Sequence, residues 1–149
     1  MNDIEHLLAI EAIRQLKAKY FYGLDHRDWE MWRREVFAPD AALHVPEFRA
    51  EPFTPLDQLI DYVRESTADQ VSVHHGHTPI IEVTSDTTAT GIWVMEDRLY
   101  RSKEHPLYDG STFLHGFGHY RETYVKLDCG WRIQTTQLTR LRVEMTKVF

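Results

Sequence analysis

The chain has 149 residues and a single cysteine, Cys129. A lone thiol excludes an internal disulfide and any cysteine-rich zinc site. Cys129 sits in a turn without a neighbouring base, so it is not read as a nucleophile. No stretch of about eighteen apolar residues occurs, so no segment reads as a membrane-spanning helix. The opening MNDIEHLLAIEAIRQLK lacks the basic start and clean apolar run of a secretory signal, and the expectation is a soluble, cytoplasmic protein. Basic residues are outnumbered, 17 Lys and Arg against 23 Asp and Glu, for a net charge of −6. That balance argues against binding a nucleic-acid backbone. There is no phosphate loop, no dinucleotide fingerprint and no nucleophile elbow, so no cofactor is expected. Repeats, low-complexity tracts and linkers are absent, and the six prolines stand singly, which makes residues 1–149 one domain.

What is present is a core and an excess of histidine. Hydrophobic residues make up 42% and aromatics 12%, which excludes disorder. Asn2, with Glu5 three residues on, predicts a capped helix. Ala9, Ile13, Leu16, Tyr20 and Leu24 form its apolar stripe, and Gly23 is expected to loosen its end. A short helix over 29–37 is stopped by Ala38-Pro39-Asp40, and residues 42–45 read as a strand. Thr54 as N-cap and Pro55 as first helical residue open a third helix that buries Leu56, Leu59, Ile60 and Val63. The period then changes to two. Residues 71–77 and 80–84 read as strands parted by Thr78-Pro79. Further strands follow at 87–100, 113–127 and 131–143, with a polar loop at 101–111 and a hairpin turn at 128–130. Three helices followed by four or five antiparallel strands predict an α+β fold, with helices packed on a curved sheet and a small-molecule cavity between them.

Several residues stand out against that frame. Asp97 shares a strand face with Ala89, Gly91, Trp93, Met95 and Leu99, where a carboxylate is costly unless it is paired, exposed at the strand end or functional. Asp25 ends the first helix, where negative charge opposes the helix dipole by about 0.3–1 kcal/mol. Its offset is either His26 or Arg27 nearby, or a histidine on the sheet. Tyr20 lies in the apolar stripe, with its hydroxyl placed to enter the cavity, and Tyr22 is close by. His74, His75 and His77 form a cluster. Alternation groups His75 with Val71 and Val73, and His74 with Ser72, and leaves open which face lines a cavity. His115 and His119 share a face with Phe113, Phe117 and Arg121. With His75 or His77 they form a possible convergence of imidazoles on a metal ion, although no familiar ligand spacing occurs and no metal is assigned. Gln134, Thr136, Leu138, Arg140 and Arg142 share one side of the last strand, opposite Trp131, Ile133 and Leu141. Arg140 is then either a substrate-binding group or a solvated one.

The segments AIRQLKAKYFYGLDHRDWEMW, VFAPDA, SVHHGHTPIIEV, TATGIWVMEDRL, GHYRETYVKLDCGWRI and QLTRLRV resemble the SnoaL-like family of the nuclear transport factor 2-like superfamily. The nearest branch is that of scytalone dehydratase, lindane dehydrochlorinase and bile-acid 7α-dehydratase. The resemblance implies a cone-shaped, cystatin-like α+β barrel, with three helices in the concave face of a strongly curved antiparallel or mixed sheet. It also implies a homodimer or homotrimer. Those enzymes eliminate water or HCl without a cofactor, through a histidine base paired with an aspartate. The family aspartate falls on Asp25, the histidine on His74, the dehydratase tyrosine on Tyr20 and a second aspartate on Asp97. An active-site arginine falls on Arg140.

The leading reading is a metal-independent lyase or isomerase acting on a small, mainly apolar cyclic substrate. Asp25, His74, Tyr20 and Asp97 are the catalytic set. Tyr22, Trp93, Met95 and Arg140 are the substrate-binding set, with Phe21 and Leu24 also expected on the cavity wall. The alternative is a non-catalytic small-molecule-binding or oligomerisation domain of the same fold.

Overall fold

A computed structural model describes residues 1–147. Helix α1 (Asp3–His26) starts as the sequence dictates. The Asn2 side chain accepts the Glu5 N–H at 2.9 Å, and the Asn2 N–H donates to Glu5 Oε2 at 2.8 Å. The predicted stripe is buried, joined by Lys17 and Gly23. Gly23 does not loosen the helix. A Cβ there would come within 2.7 Å of the Trp32 indole, so glycine lets helix and indole pack. The helix ends at Arg27, whose φ of 59° is left-handed and whose N–H caps the last turn.

Helix α2 (Trp29–Met31) runs into a π-helical turn (Trp32–Val36) and then into strand β1 (Phe37–His44). The strand thus begins five residues earlier than expected. Pro39 disfavours helical backbone at Ala38 and has no N–H to donate. An edge strand tolerates that loss, and β1 is an edge, with irregular register between Phe37 and Ala42. Helix α3 (Leu56–Ser66) has Pro55, not Thr54, at its N-cap. The Thr54 hydroxyl instead donates to the Ala41 carbonyl at 3.0 Å and ties this loop to β1.

Strands β2 (Gln70–Val83), β3 (Thr88–Arg101), β4 (Phe113–Leu127) and β5 (Gly130–Thr146) complete a five-stranded sheet of order β1-β5-β4-β3-β2. Neighbours are antiparallel except β1, which runs parallel to β5. The sheet is mixed and curled, with three helices, in an α+β fold. The two strands expected on either side of Thr78-Pro79 are one strand with a register shift between His77 and Ile80. That shift moves the inward set from Ser72 and His74 to Ile81 and Val83. β5 has comparable irregularities against β4, opposite Thr123/Tyr124 and Phe117/Gly118. They place Trp131, Ile133, Thr136, Leu138 and Arg140 inward and leave Leu141 77% exposed, which regroups the faces expected from strict alternation.

The core lies between α1 and the concave sheet face and includes Ile13, Trp32, Val36, Phe37, Leu59, Ile60, Met95 and Ile133. One ion pair is sealed inside it. Lys17 Nζ stands 2.5 Å from Glu122 Oε1, and neither side chain is exposed. The Glu122 carboxylate also accepts hydrogen bonds from the Tyr124 and Thr136 hydroxyls, and Trp93 Nε1 donates to the Tyr124 oxygen. Lys17 lies over the Tyr20 and Tyr120 rings at 3.8 and 3.7 Å. Burial pushes its ammonium down to about 8 against the opposing pull of Glu122. Among the described residues, no helix is long and apolar enough to cross a membrane.

Candidate active site

The end of α1 meets the start of β2 through Asp25. Its Oδ1 lies 2.7 Å from His74 Nδ1 and accepts the Ser72 hydroxyl at 2.9 Å, while Oδ2 accepts the His74 backbone N–H at 2.9 Å. These bonds supply the offset that a carboxylate at a helix C-terminus requires. His26 instead uses its ring nitrogen on the Tyr22 carbonyl. Burial alone would push the Asp25 carboxyl up. The bonds from the His74 ring, the His74 backbone and Ser72 together outweigh it and hold the group below its ordinary value. Arg27 braces the junction, donating to Ser72 Oγ and to the carbonyls of Leu24, Thr67 and Gln70.

An ionised Asp25 only accepts, so the proton between them sits on His74 Nδ1. In the neutral ring that leaves Nε2 with its lone pair. Nε2 stands 3.7 Å from Asp97 Oδ2, and His74 and Asp97 face each other across the β2–β3 pair. Asp97 is 2% exposed and is held by Arg140 in a bidentate pair, both bonds 2.8 Å. Of the offsets considered for Asp97, pairing with arginine is the one observed. Gly116 on β4 makes room for this pair, because a Cβ there would collide with the Arg140 guanidinium and the Asp97 carboxylate. Burial acts to lower the Arg140 value, and Asp97 more than reverses it.

Tyr20 completes one wall. Its ring stacks on Trp32 with centroids 5.1 Å apart, and Trp32 Nε1 donates to the Tyr20 carbonyl. Its hydroxyl is hydrogen-bonded to that of Tyr120, and burial raises both phenols, so both remain protonated donors. His74, Asp97, Tyr20, Tyr120 and Arg140 line a cavity of about 390 Å³, within the usual range for small-molecule sites. Leu24, Leu43, Tyr62, Leu99 and Leu138 supply apolar wall, and Phe48 and Tyr108 stand exposed at its edge.

Not every expected residue is here. Tyr22 is 56% exposed and stacks on His26, so it faces solvent and does not contact the cavity. Its place two residues past Tyr20, on the opposite side of the helix from the buried stripe, puts it there. Met95 is 1% exposed and sits in the core beyond Asp97. Trp93 is buried with its indole on Tyr124, and it lines a second, open groove of about 580 Å³ with Arg14, Phe21, His74, His75 and His77. Phe21 belongs to that groove too, whereas Leu24 lines the cavity as expected. Neither Trp93 nor Met95 lines the 390 Å³ cavity, although Trp93 shares the open groove with His74.

Sequence reasoning missed Tyr120, Ser72 and the loop residues. Tyr120 had a signal. It alternates with His115, Phe117 and His119, so it belongs on the opposite, inward face with Glu122 and Tyr124. The cavity edge from residues 45–53 and 101–111 had none, since irregular loops carry no periodicity.

Residues 5–137 match the family described as SnoaL-like domain. The fold is similar to that of the Kfla4162 protein of Kribbella flavida, at TM-score 0.84 and 19% identity, covering 93% of this chain and 95% of that one. It is also similar to a candidate scytalone dehydratase of Novosphingobium aromaticivorans, at TM-score 0.82 and 22% identity, covering 99% and 94%. A third similar structure is the hexachlorocyclohexane dehydrochlorinase LinA-type3 of Novosphingobium barchaimii, at TM-score 0.82 and 17% identity, covering 99% and 97%. At these identities the likeness speaks for the fold. The family match spans most of the chain, and on that ground this protein belongs to the SnoaL-like family, within the nuclear transport factor 2-like superfamily.

Proposed function

We propose that the protein is a cofactor-independent lyase or isomerase in which His74 is the base. The observation that carries the reading is the 2.7 Å contact between Asp25 Oδ1 and His74 Nδ1, with the ring lining the cavity. Asp25 orients the imidazole and stabilises the imidazolium that forms. Nε2 takes a proton from a substrate carbon next to a carbonyl or leaving group. The electron pair of that C–H bond becomes the new double bond, and the leaving group departs with the pair of its own bond. Tyr20 or Tyr120 polarises the substrate oxygen or protonates a departing hydroxyl, as neutral phenols buried beside the base. Asp97 and Arg140 neutralise one another and present a hydrogen-bonding edge beside Nε2. Where no leaving group is present, return of the proton to another carbon makes the same reaction an isomerisation.

The lining favours a small, mainly apolar ring with one or two oxygens. Leucines and tyrosines make up nine of the twenty lining residues, and His74, Asp97 and Arg140 supply polar groups beside them. The dehydratase and dehydrochlorinase among similar folds act by elimination as their names state, which fits this reading. The test is a screen of cyclic β-hydroxy and β-halo ketones, following the absorbance of the conjugated product. Wild-type protein is expected to form product and His74→Ala to lose it. Full turnover by His74→Ala would refute the role given to this histidine.

A further inference from the structure

The outward face of the same two strands holds a second constellation that the proposed reaction does not use. His75 lies directly across from Glu96 in the β2–β3 register, and His77 lies diagonal to Glu96, on the same face as His75 two residues on. One ring nitrogen from each histidine and one Glu96 oxygen lie within 4.8 Å of one another. The Glu96 carboxylate is already oriented. His115 on β4 sits 2.7 Å from Oε1, and Arg98 Nη2 is 3.0 Å from the same oxygen. Oε2 is left facing His77, whose Nε2 is 3.3 Å away. Both histidines are exposed and reach solvent without any opening of the fold.

We propose that His75, His77 and Glu96 form a binding site for one divalent transition-metal ion of the zinc class, with His115 as a positioning residue. Two imidazoles and a carboxylate are the donor set such ions take, with solvent filling the remaining position. Ligand atoms around a tetrahedral ion stand roughly 3.4 Å apart. Rotation of two exposed imidazoles closes the remaining gap. His115 acts as partners of metal-binding carboxylates do, fixing Glu96 through the oxygen that the metal does not use.

Its place gives the site a consequence. His75 and Glu96 directly follow and precede His74 and Asp97 in the chain, so the two pairs occupy opposite faces of adjacent rungs. Among the described residues β2 is an edge strand whose one sheet neighbour is β3. A metal bridging them on the outer face pins the strand that carries His74. The inference stands independently of the reaction proposed above.

The test uses the full chain stripped with a chelator, titrated with Zn²⁺ against a chromophoric competitor and with Co²⁺ followed by visible absorption. The expectation is one equivalent bound at micromolar metal or tighter, a Co²⁺ ligand-field band, and a thermal midpoint raised by Zn²⁺. His115→Gln is expected to weaken binding by about 10–100-fold, as loss of an orienting partner does. The double change His75→Ala with His77→Ala is expected to abolish the band and the thermal shift. Both positions are exposed, so the fold is expected to survive, as far-ultraviolet circular dichroism will report. Should the double variant fail to fold, Glu96→Gln replaces it, with the same loss of band and shift expected. The proposal is overturned if wild-type protein binds no Zn²⁺ at micromolar concentration, or if the folded variant binds within about tenfold of wild type, which would assign the metal to other histidines.

Discussion

Asp97 and His74 face each other across the β2–β3 pair, the carboxylate Oδ2 3.7 Å from the imidazole Nε2. Asp25 holds the other ring nitrogen at 2.7 Å. The imidazole is thus set between two carboxylates of different character. Asp25 is bonded to His74 and Ser72, with Arg27 one step away on the Ser72 hydroxyl, whereas Asp97 is neutralised by the Arg140 fork. Asp25 therefore bears on the protonation of His74 and Asp97 on the geometry of what lies beside it.

Asp25→Asn removes the charge and turns one of the two acceptor oxygens into a donor, so the imidazole tautomer is no longer fixed. In a catalytic role this predicts a fall in kcat of roughly 10²–10⁴-fold on any substrate found, with KM changing far less. Steady-state kinetics on the two proteins measure it, and circular dichroism checks that the fold is kept.

The same carboxylate makes stability depend on acid. Its folded value lies below the unfolded value of about 3.9, so its contribution is fully present above that pH. It is lost as pH falls through the lower folded value, because the carboxylate must then take a proton that its hydrogen bonds resist. Urea midpoints measured from pH 6 downward are expected to fall more steeply for wild type than for Asp25→Asn below about pH 4.

Lys17 carries the opposite opportunity at alkaline pH. The unfolded chain keeps this proton to about 10.4, and the folded chain releases it near 8. Between those values the unfolded state binds more protons, so this group makes stability rise with pH. Proton-detected NMR of the lysine side chains is expected to show one ammonium titrating near 8. Glu122→Gln, which strands that charge in the core, is expected to cost about 3–5 kcal/mol in chemical denaturation.

Gly116→Ala tests the packing beneath the site. The new methyl group meets the Arg140 guanidinium and the Asp97 carboxylate, so the fork must shift. A loss of about 1–3 kcal/mol is expected from overpacking. Ligand binding in the cavity is expected to weaken with it, whereas an alanine that leaves both unchanged would contradict the tight fit.

How much of this was legible in the sequence depended on which signal each residue carried. The capping box at Asn2, the α1 stripe and the α+β class follow from periodicities of 3.6 and 2, and the structure agrees. Asp25 and Asp97 were visible as charges in the wrong place, one at a helix C-terminus and one on an apolar strand face. His74 was harder, since alternation separates it from His75 without saying which face is inner. The side of Arg140 was hidden by two register shifts in β5, and that of the strand after His77 by one at Thr78-Pro79. Strict alternation fails wherever a strand gains a residue against its partner. Tyr22, Trp93 and Met95 show the limit of composition. Being aromatic or apolar near the site does not say whether a side chain lines the cavity, fills the core or faces solvent. Lys17 in the apolar stripe was an unread signal, because a lysine at a buried helical position requires a buried partner.

The claim on which the account rests is that Asp25 leaves His74 Nε2 free to accept a proton. Long-range ¹H–¹⁵N correlation reads this directly in the neutral His74 ring. The account predicts the proton on Nδ1 and a bare Nε2, with the pattern lost in Asp25→Asn. A proton found on Nε2 with Nδ1 bare, in wild type, would contradict it, since the nitrogen facing Asp97 would then have no lone pair to offer a substrate.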